Sequence, residues 1–412
     1  MEKSVMNQLC IEGMAVDGET AWFAAATFNG FFRMDFKDYS VEYIAMFSDE
    51  PVRKPGLYSV CCIYGDEVLF IPFFAHNLYI YNVVSHKTDK YVIDVPKWRG
   101  DNWGFYVYCQ KNEYVYMVSC RQFYIVRFNM ITKEIKVYDK WYGEFQKRYP
   151  FINYPWVISS EICEYDDKIY IPCYANNVII VFDILEDRIS FAEINNDIRG
   201  ICTICRAENY FVISTVNGEF FRGDLQKDRN VWFRYISVVK GRFCKSFYEN
   251  GEVCFFPENA GNIYKLNLSN GKLEKMLKNE IVIDETKQNA VSSYYLIYNS
   301  YQCFMLEKIR PDRYVCMLCN GNLYEIAGGE IREIGKIYCS QGIEPLKVME
   351  GEQDTKTYTE IDGSMNIHKG DILGNSLYAF CEYTNVYDRK GQNRGKEFCG
   401  SKIFERVKNA KN

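Results

Sequence analysis

Only three histidines, His76, His86 and His368, occur in the chain, and they stand far apart. Imidazole is the commonest general base and metal ligand near neutral pH, so this scarcity argues against His-based catalysis or a His-held metal. All three read as solvent-facing residues of turns or of the tail. Two Cys-x-x-Cys spacings occur, Cys202 with Cys205 and Cys316 with Cys319, each inside an apolar run. In a strand, residues three apart point to opposite faces and cannot share one ion, so no metal or other cofactor is expected. Carboxylates are plentiful, with 54 Asp and Glu. They lack a recognisable catalytic frame: there is no phosphate-binding glycine loop, no G-x-G-x-x-G after a strand and no G-x-S-x-G elbow. The triplet Arg99-Gly100-Asp101 would act as an adhesion signal only in an exposed extracellular loop. One regional feature remains, a concentration of aromatic and basic residues. It takes in Trp98, Arg99, Trp103, Trp141, Arg148 and Trp156, followed by Arg199 and Arg242. Flat rings give contact area and Arg a forked donor, so this is a candidate binding surface for a peptide, protein or glycan. The competing reading is that the rings only fill crevices of the core.

The elements that position these residues announce themselves as a cadence. An apolar and aromatic run ending in Asp or Asn returns at Gly30–Phe36, Asn77–Val83, Phe123–Asn129, Val178–Ile184, Glu219–Leu225, Asn262–Leu268 and Asn322–Gly328. The terminal marks are Asp35, Asn82, Asn129, Asp183, Asp224 and Asn267, with Ala327 in the last copy, so the spacings are 47, 47, 54, 41, 43 and 60 residues. A period in the forties built of short strands is the requirement of a β-propeller blade. The expected fold is all-β: a seven-bladed propeller of four-stranded antiparallel blades with a partly helical C-terminal tail.

Each copy divides into strands A to D. Strands B and C carry nearly continuous apolar runs, such as Val68–Ile71 and Val178–Phe182, as expected when both faces of a sheet are covered. Strand D alternates, as in Glu330–Ile334, which suits an outer edge with one side in water. Between A and B lie Asp17-Gly18, Gly65-Asp66, Asp166-Asp167 and Asn250-Gly251, and between B and C lie Asn29-Gly30, Asn217-Gly218 and Asn320-Gly321, pairs that tolerate the positive φ of hairpin turns. The blades are expected at 8–48, 56–96, 104–140, 156–195, 200–239, 242–278 and 291–335. The domain division follows: 1–335 as propeller and 336–412 as a tail of linker and short helices. The alternative is a partial eighth blade from residues 376–383 and 401–407, its outer strand borrowed from residues 1–7. In a propeller the D–A and B–C connections emerge on one face, so the aromatic and basic loops should lie beside the turns holding His76 and Asn176.

Composition narrows the partners. A net charge of −5 provides no global field for nucleic acid or an anionic membrane, so neither is expected. Seventeen cysteines, scattered through strands, read as reduced thiols used as small apolar residues. Together with an N-terminus lacking an apolar signal core, this suggests a cytoplasmic protein, and abundant Lys, Asn, Ile and Tyr suit an AT-rich bacterial genome.

Strand C ending in Asp or Asn and followed by a Thr-Gly-Lys-type turn survives at Asn129–Lys133 and Asn267–Lys272. On these residues the repeats resemble the general β-propeller superfamily, in the style of quinoprotein-like and YVTN-like bacterial propellers, over about four-fifths of the chain. No Trp-Asp blade ends, kelch double glycine or quinone-binding set accompanies them, and the His and Glu cluster of streptogramin-lyase propellers cannot be assembled here. The resemblance implies the fold and no active-site residue. The leading expectation is a non-enzymatic binding or scaffold propeller working through one loop face. The alternative is a carboxylate-dependent lyase or glycan-active enzyme at the central channel, which two or more buried acids there would favour.

Overall fold

The computed structural model describes residues 8–346 apart from 53, 95–103, 121–122, 150–157, 195–196, 199, 226–231, 282–301 and 341–342. The expected tail helices, at 376 and beyond, lie outside the described residues. Seven four-stranded antiparallel sheets follow one another along the chain, each with its strands in sequence order. Blade 1 is β1–β4 (Ala15–Asp17, Thr20–Ala24, Phe31–Asp35, Val41–Ala45), blade 2 is β5–β8 (Tyr58–Tyr64, Glu67–Pro72, Asn77–Asn82, Thr88–Val92) and blade 3 is β9–β12 (Phe105–Lys111, Tyr114–Ser119, Ile125–Asn129, Ile135–Tyr138). Blade 4 is β13–β16 (Cys163–Tyr165, Lys168–Pro172, Val178–Asp183, Arg188–Glu193) and blade 5 is β17–β20 (Ile201–Ala207, Tyr210–Thr215, Glu219–Gly223, Trp232–Val238). Blade 6 is β21–β24 (Phe243–Glu249, Glu252–Pro257, Tyr264–Asn267, Leu273–Lys275), and blade 7 is β25–β28 (Cys303–Arg310, Arg313–Leu318, Asn322–Ala327, Glu330–Lys336).

The cadence has a physical cause. At Asn129 the side-chain Oδ1 accepts the backbone N–H groups of Ile131 and Thr132 at 2.8 and 2.9 Å, which starts the turn into strand D. Asn82, Asp183 and Asn267 take the N–H groups two and three residues on in the same way, and Asp35 takes that of Lys37. Four residues after each mark the chain passes through positive φ, at Tyr39, His86, Lys133, Asp187 and Gly271. An acceptor side chain followed by one left-handed residue therefore makes each of these C–D hairpins. The last blade needs no such mark: Ala327 is followed by Gly328 and Gly329, at φ 57° and 80°, which make a two-residue turn.

The first strand of each blade lies innermost: β1 touches β5, β5 touches β9, β13 touches β17, β17 touches β21, β21 touches β25 and β25 touches β1. Apolar residues fill the spaces between consecutive sheets. Phe31, Phe47, Tyr58, Phe70 and Tyr79 fill that between blades 1 and 2, and Ile179, Phe211, Phe221 and Trp232 that between blades 4 and 5. Within the inner strands, five blades show a register shift near the start, as at Tyr58/Val60, Ile201/Thr203 and Phe243/Lys245. Such bulges bend a strand and free a backbone group. The freed carbonyls are taken up by the preceding blade. Ser59 Oγ donates to the Phe105 carbonyl at 2.7 Å, Ser159 Oγ donates to the Cys202 carbonyl, and Cys244 Sγ faces the Cys303 carbonyl at 3.5 Å.

The ring closes between blades 7 and 1. Gln8 pairs with Tyr338 beyond β28, and the Leu9 N–H donates to the Ile337 carbonyl at 2.9 Å. Arg313 on β26 crosses the same junction, bonding Glu19 Oε2 and Glu325 Oε1 at 2.8 Å each and the Phe36 carbonyl at 3.2 Å. The Tyr39 hydroxyl donates to the second Glu325 oxygen at 2.6 Å. Because the Glu325 carboxylate is nearly enclosed, Arg313→Met should cost about 2 kcal/mol of unfolding free energy in urea titrations. A change within about 0.5 kcal/mol would show that apolar contacts alone close the ring.

Candidate functional site

The B–C and D–A loops of blades 4 to 6 meet around Arg242, the residue before β21. Its Nη2 donates to Glu258 Oε1 at 2.6 Å, and the Tyr174 hydroxyl donates to the other Glu258 oxygen at 2.8 Å. The guanidinium carbon lies 5.5 Å from the Tyr174 ring centroid, adding a cation–π contact. Two further bonds tie the Arg242 and Glu258 segments together: Glu258 N–H to the Arg242 carbonyl at 2.8 Å and Arg242 N–H to Asn259 Oδ1 at 2.7 Å. Tyr174 belongs to blade 4 and Glu258 to blade 6, so the bond between them spans blade 5. Two glycines make this approach possible. Gly200, at φ +63°, would place a Cβ 2.6 Å from the Tyr174 carbonyl, and Gly241, at φ +124°, would place one 2.6 Å from the Ala260 Cα.

Glu258 is almost wholly buried, with 2% of its side chain exposed, and Arg242 is largely so. Burial would lower the Arg242 pKa, but the Glu258 charge and hydrogen bond outweigh it, so the guanidinium stays fully charged. Two buried donors are left over on this face. Arg242 Nε and Asn176 Nδ2 have no hydrogen-bond partner among the described residues, although Asn176 Oδ1 accepts the Val178 N–H at 3.0 Å. Buried N–H groups without partners are uncommon and cost free energy, so a ligand acceptor placed there is favoured twice, by the new bond and by relief of the vacancy.

The other predicted residues are dispersed. His76 sits in the blade 2 B–C loop, its N–H donating to Glu50 Oε1 at 3.1 Å and its Nδ1 4.0 Å from the second oxygen. Trp141 begins the helix α1 (Trp141–Arg148), which forms the D–A connection from blade 3 to blade 4. With Tyr142 and Phe145 it is buried against Phe123, Ile158 and Ile171, so it packs the core between those blades. Arg148 ends the helix on the surface, 3.3 Å from Glu193, which also accepts the Tyr149 hydroxyl at 2.7 Å. Trp98, Arg99, Trp103, Trp156 and Arg199 lie outside the described residues. Of the predicted set, Arg242 lies in this cluster and Asn176 in the same B–C loop as its Tyr174; Tyr174 and Glu258 are additions that the sequence reading missed. The signal for Glu258 was its place after Pro257, in the third copy of the strand-B ending that also precedes Asn77 and Asn177.

A second group lies on and beside the inner strands. Glu161, just before β13, accepts the Ile204 N–H at 2.9 Å and the Ser246 hydroxyl at 2.7 Å, and its other oxygen accepts the Ser246 N–H. Burial drives its pKa up to about 7 in spite of these donors. Glu307 on β25 is likewise pushed up to about 7 by burial, and its one bond among the described residues is a long one from the Met14 N–H, 3.4 Å. Lys245 on β21 is the cation that moderates both acids. Burial also raises the Cys61, Cys202, Cys205 and Cys244 thiols, which stay protonated at neutral pH. The fifteen described cysteines are all free, and no group of three or more metal-ligating side chains occurs among the described residues.

No protein-family model and no curated protein sequence matches the chain. Solved structures do. Virginiamycin B lyase from Staphylococcus aureus superposes with a TM-score of 0.55 at 13% identity, over 79% of this chain and 96% of that one. A streptogramin B lyase gives 0.50 at 12% identity, over 81% and 99%, and BamB from Moraxella catarrhalis gives 0.50 at 13%, over 77% and 85%. At such identities the likeness is one of fold alone: the chain has the architecture of a β-propeller.

The acids of the inner strands generate a pH dependence. A folded-state pKa near 7 against an ordinary value of 4.5 means that the folded chain holds the proton more tightly. Its contribution is then full below about pH 4.5 and lost as pH rises through about 7. Over that window wild type should lose roughly 3 kcal/mol relative to Glu307→Gln, measured by urea unfolding at a series of pH values. Parallel profiles for the two proteins would contradict a buried, proton-holding Glu307.

Proposed function

We propose that the chain is a non-enzymatic binding or scaffold propeller that takes a peptide, protein or glycan on the face formed by its B–C and D–A loops. One observation carries this reading: two buried donors without partners, Arg242 Nε and Asn176 Nδ2, stand on that face beside a locked Arg242–Glu258–Tyr174 cluster. The Arg242 charge is already balanced by Glu258, so the vacant donors suit neutral acceptors, peptide carbonyls or sugar hydroxyls, at least as well as an anion. Loops from three blades converging on one patch give a propeller a composite site on a rigid frame. The reading includes a reducing compartment, which the free, buried thiols support.

A second reading is a carboxylate-dependent enzyme at the channel, favoured by Glu307. A carboxyl titrating near neutral pH with only one long hydrogen bond can give or take a proton. Glu161 is less suited to that task, because both of its oxygens already bind blades 5 and 6.

The test is binding of the purified chain to immobilised arrays of peptides and glycans, repeated with Arg242→Lys, Asn176→Ala and Glu307→Gln. Arg242→Lys keeps the charge for Glu258 but loses Nε. The proposal expects the first two variants to weaken the captured ligand about 10-fold each with little change in thermal midpoint, and Glu307→Gln to bind as wild type. Capture unaffected by Arg242→Lys and Asn176→Ala would refute it. Turnover of an array glycan that disappears only in Glu307→Gln would establish the second reading instead.

A further inference from the structure

The outer strand of every blade ends a sheet, and among the described residues one side of its backbone has no strand to pair with. Natural edges are usually blunted by charge. Two of the outer strands here follow that rule: β28 exposes Glu330, Arg332, Glu333 and Lys336, and β16 exposes Arg188, Ser190 and Glu193. The outer strand of blade 5 does not. β20 carries Phe233, Ile236 and Val238 in exposed positions, at 60%, 100% and 52% of full exposure. It is seven residues long, enough to template another strand.

The charge at this edge is one-sided. Arg234 is balanced by Glu219 at 2.5 Å. Arg222, directly across from Phe233 on β19, has no carboxylate partner among the described residues. Three rings hold it instead, with its guanidinium carbon 5.7, 5.9 and 5.8 Å from the centroids of Tyr210, Phe233 and Tyr235. Among the described residues the edge therefore presents backbone with no pairing strand, apolar side chains and a fixed cation whose charge no carboxylate cancels.

We propose that β20 is a docking edge for an extended segment of a protein partner, apolar residues interleaved with acidic ones, which adds to blade 5 as a fifth strand. Backbone pairing would supply the common part of the affinity, and side-chain fit the selectivity. Ile236 and Val238 cover apolar side chains of the segment, and Arg222 selects a carboxylate. A second copy of this chain is the poorer occupant, since it would bring another uncompensated Arg222 to the same edge. The docking edge is separate from the loop face, so either can fail without the other.

The experiment uses the full chain and three labelled eight-residue peptides alternating valine with glutamate, lysine or serine, read by fluorescence anisotropy. The valine–glutamate peptide should bind about 10-fold or more tighter than the valine–lysine one, and N-methylation of its alternate amides should abolish binding. Ile236→Ser should weaken it about 10-fold, and Arg222→Gln should remove the preference for glutamate over serine. The proposal is overturned if no peptide binds or if lysine serves as well as glutamate. It is also overturned if β20 amides are already protected from hydrogen exchange in the free chain, or if sedimentation finds a dimer that Ile236→Ser dissolves.

Discussion

Seven twisted sheets arranged around an axis crowd their first strands together, and the polar groups there must find partners in neighbouring blades. Glu161 is where that requirement is met most densely. Its carboxyl group, supplied by blade 4, bonds Ile204 of blade 5 and Ser246 of blade 6. Ser160 beside it donates to the Cys244 carbonyl at 2.9 Å, a second tie from blade 4 to blade 6. These bonds run between residues 43 to 85 positions apart in sequence. They hold the three blades in one mutual orientation. A buried acid is a costly way to do this unless its donors are in place, which makes the arrangement specific as well as strong.

The loop face inherits its geometry from that inner collar. With blades 4, 5 and 6 fixed, the Tyr174 hydroxyl can cross over blade 5 to Glu258, and Glu258 can hold Arg242 from its own blade. Arg242 is thereby denied its usual freedom, and its Nε is buried without an acceptor. The loop cluster and Glu161 differ in this respect. Glu161 is saturated by its neighbours, whereas Arg242 and Asn176 each keep one donor in reserve.

The fold was legible because each blade repeats a local device. The Asp or Asn that ends strand C accepts the backbone of the following turn, a bond between residues two or three apart, so the sequence period shows it directly. Blade 7 kept its register despite Ala327 because Gly328 and Gly329 make the same reversal by another route. The helix at Trp141–Arg148 was hidden in a stretch read only as an aromatic loop. Its eight residues bury Trp141, Tyr142 and Phe145 on one side and place Lys147 and Arg148 in the last turn, a pattern too short to stand out. The site was half legible. Arg242 and Asn176 were found from residue type and loop position. Glu258, Glu161 and Glu307 owe their character to burial and to partners dozens of residues away, which only the closed ring brings together.

If the loop face binds a ligand as proposed, Arg242 Nε and Asn176 Nδ2 are the donors that meet it. Nitrogen-15 spectra of the deuterated chain, with arginine Nε and asparagine side-chain signals assigned, read them directly. During titration with N-acetylglycine methylamide, a minimal peptide carbonyl source, the Arg242 Nε and Asn176 Nδ2 signals should move together along one binding curve. Arg313 Nε, which already donates to Glu325 at 2.8 Å, should stay still. Signals of Arg242 and Asn176 that remain fixed, or that shift no more than Arg313, would contradict the account.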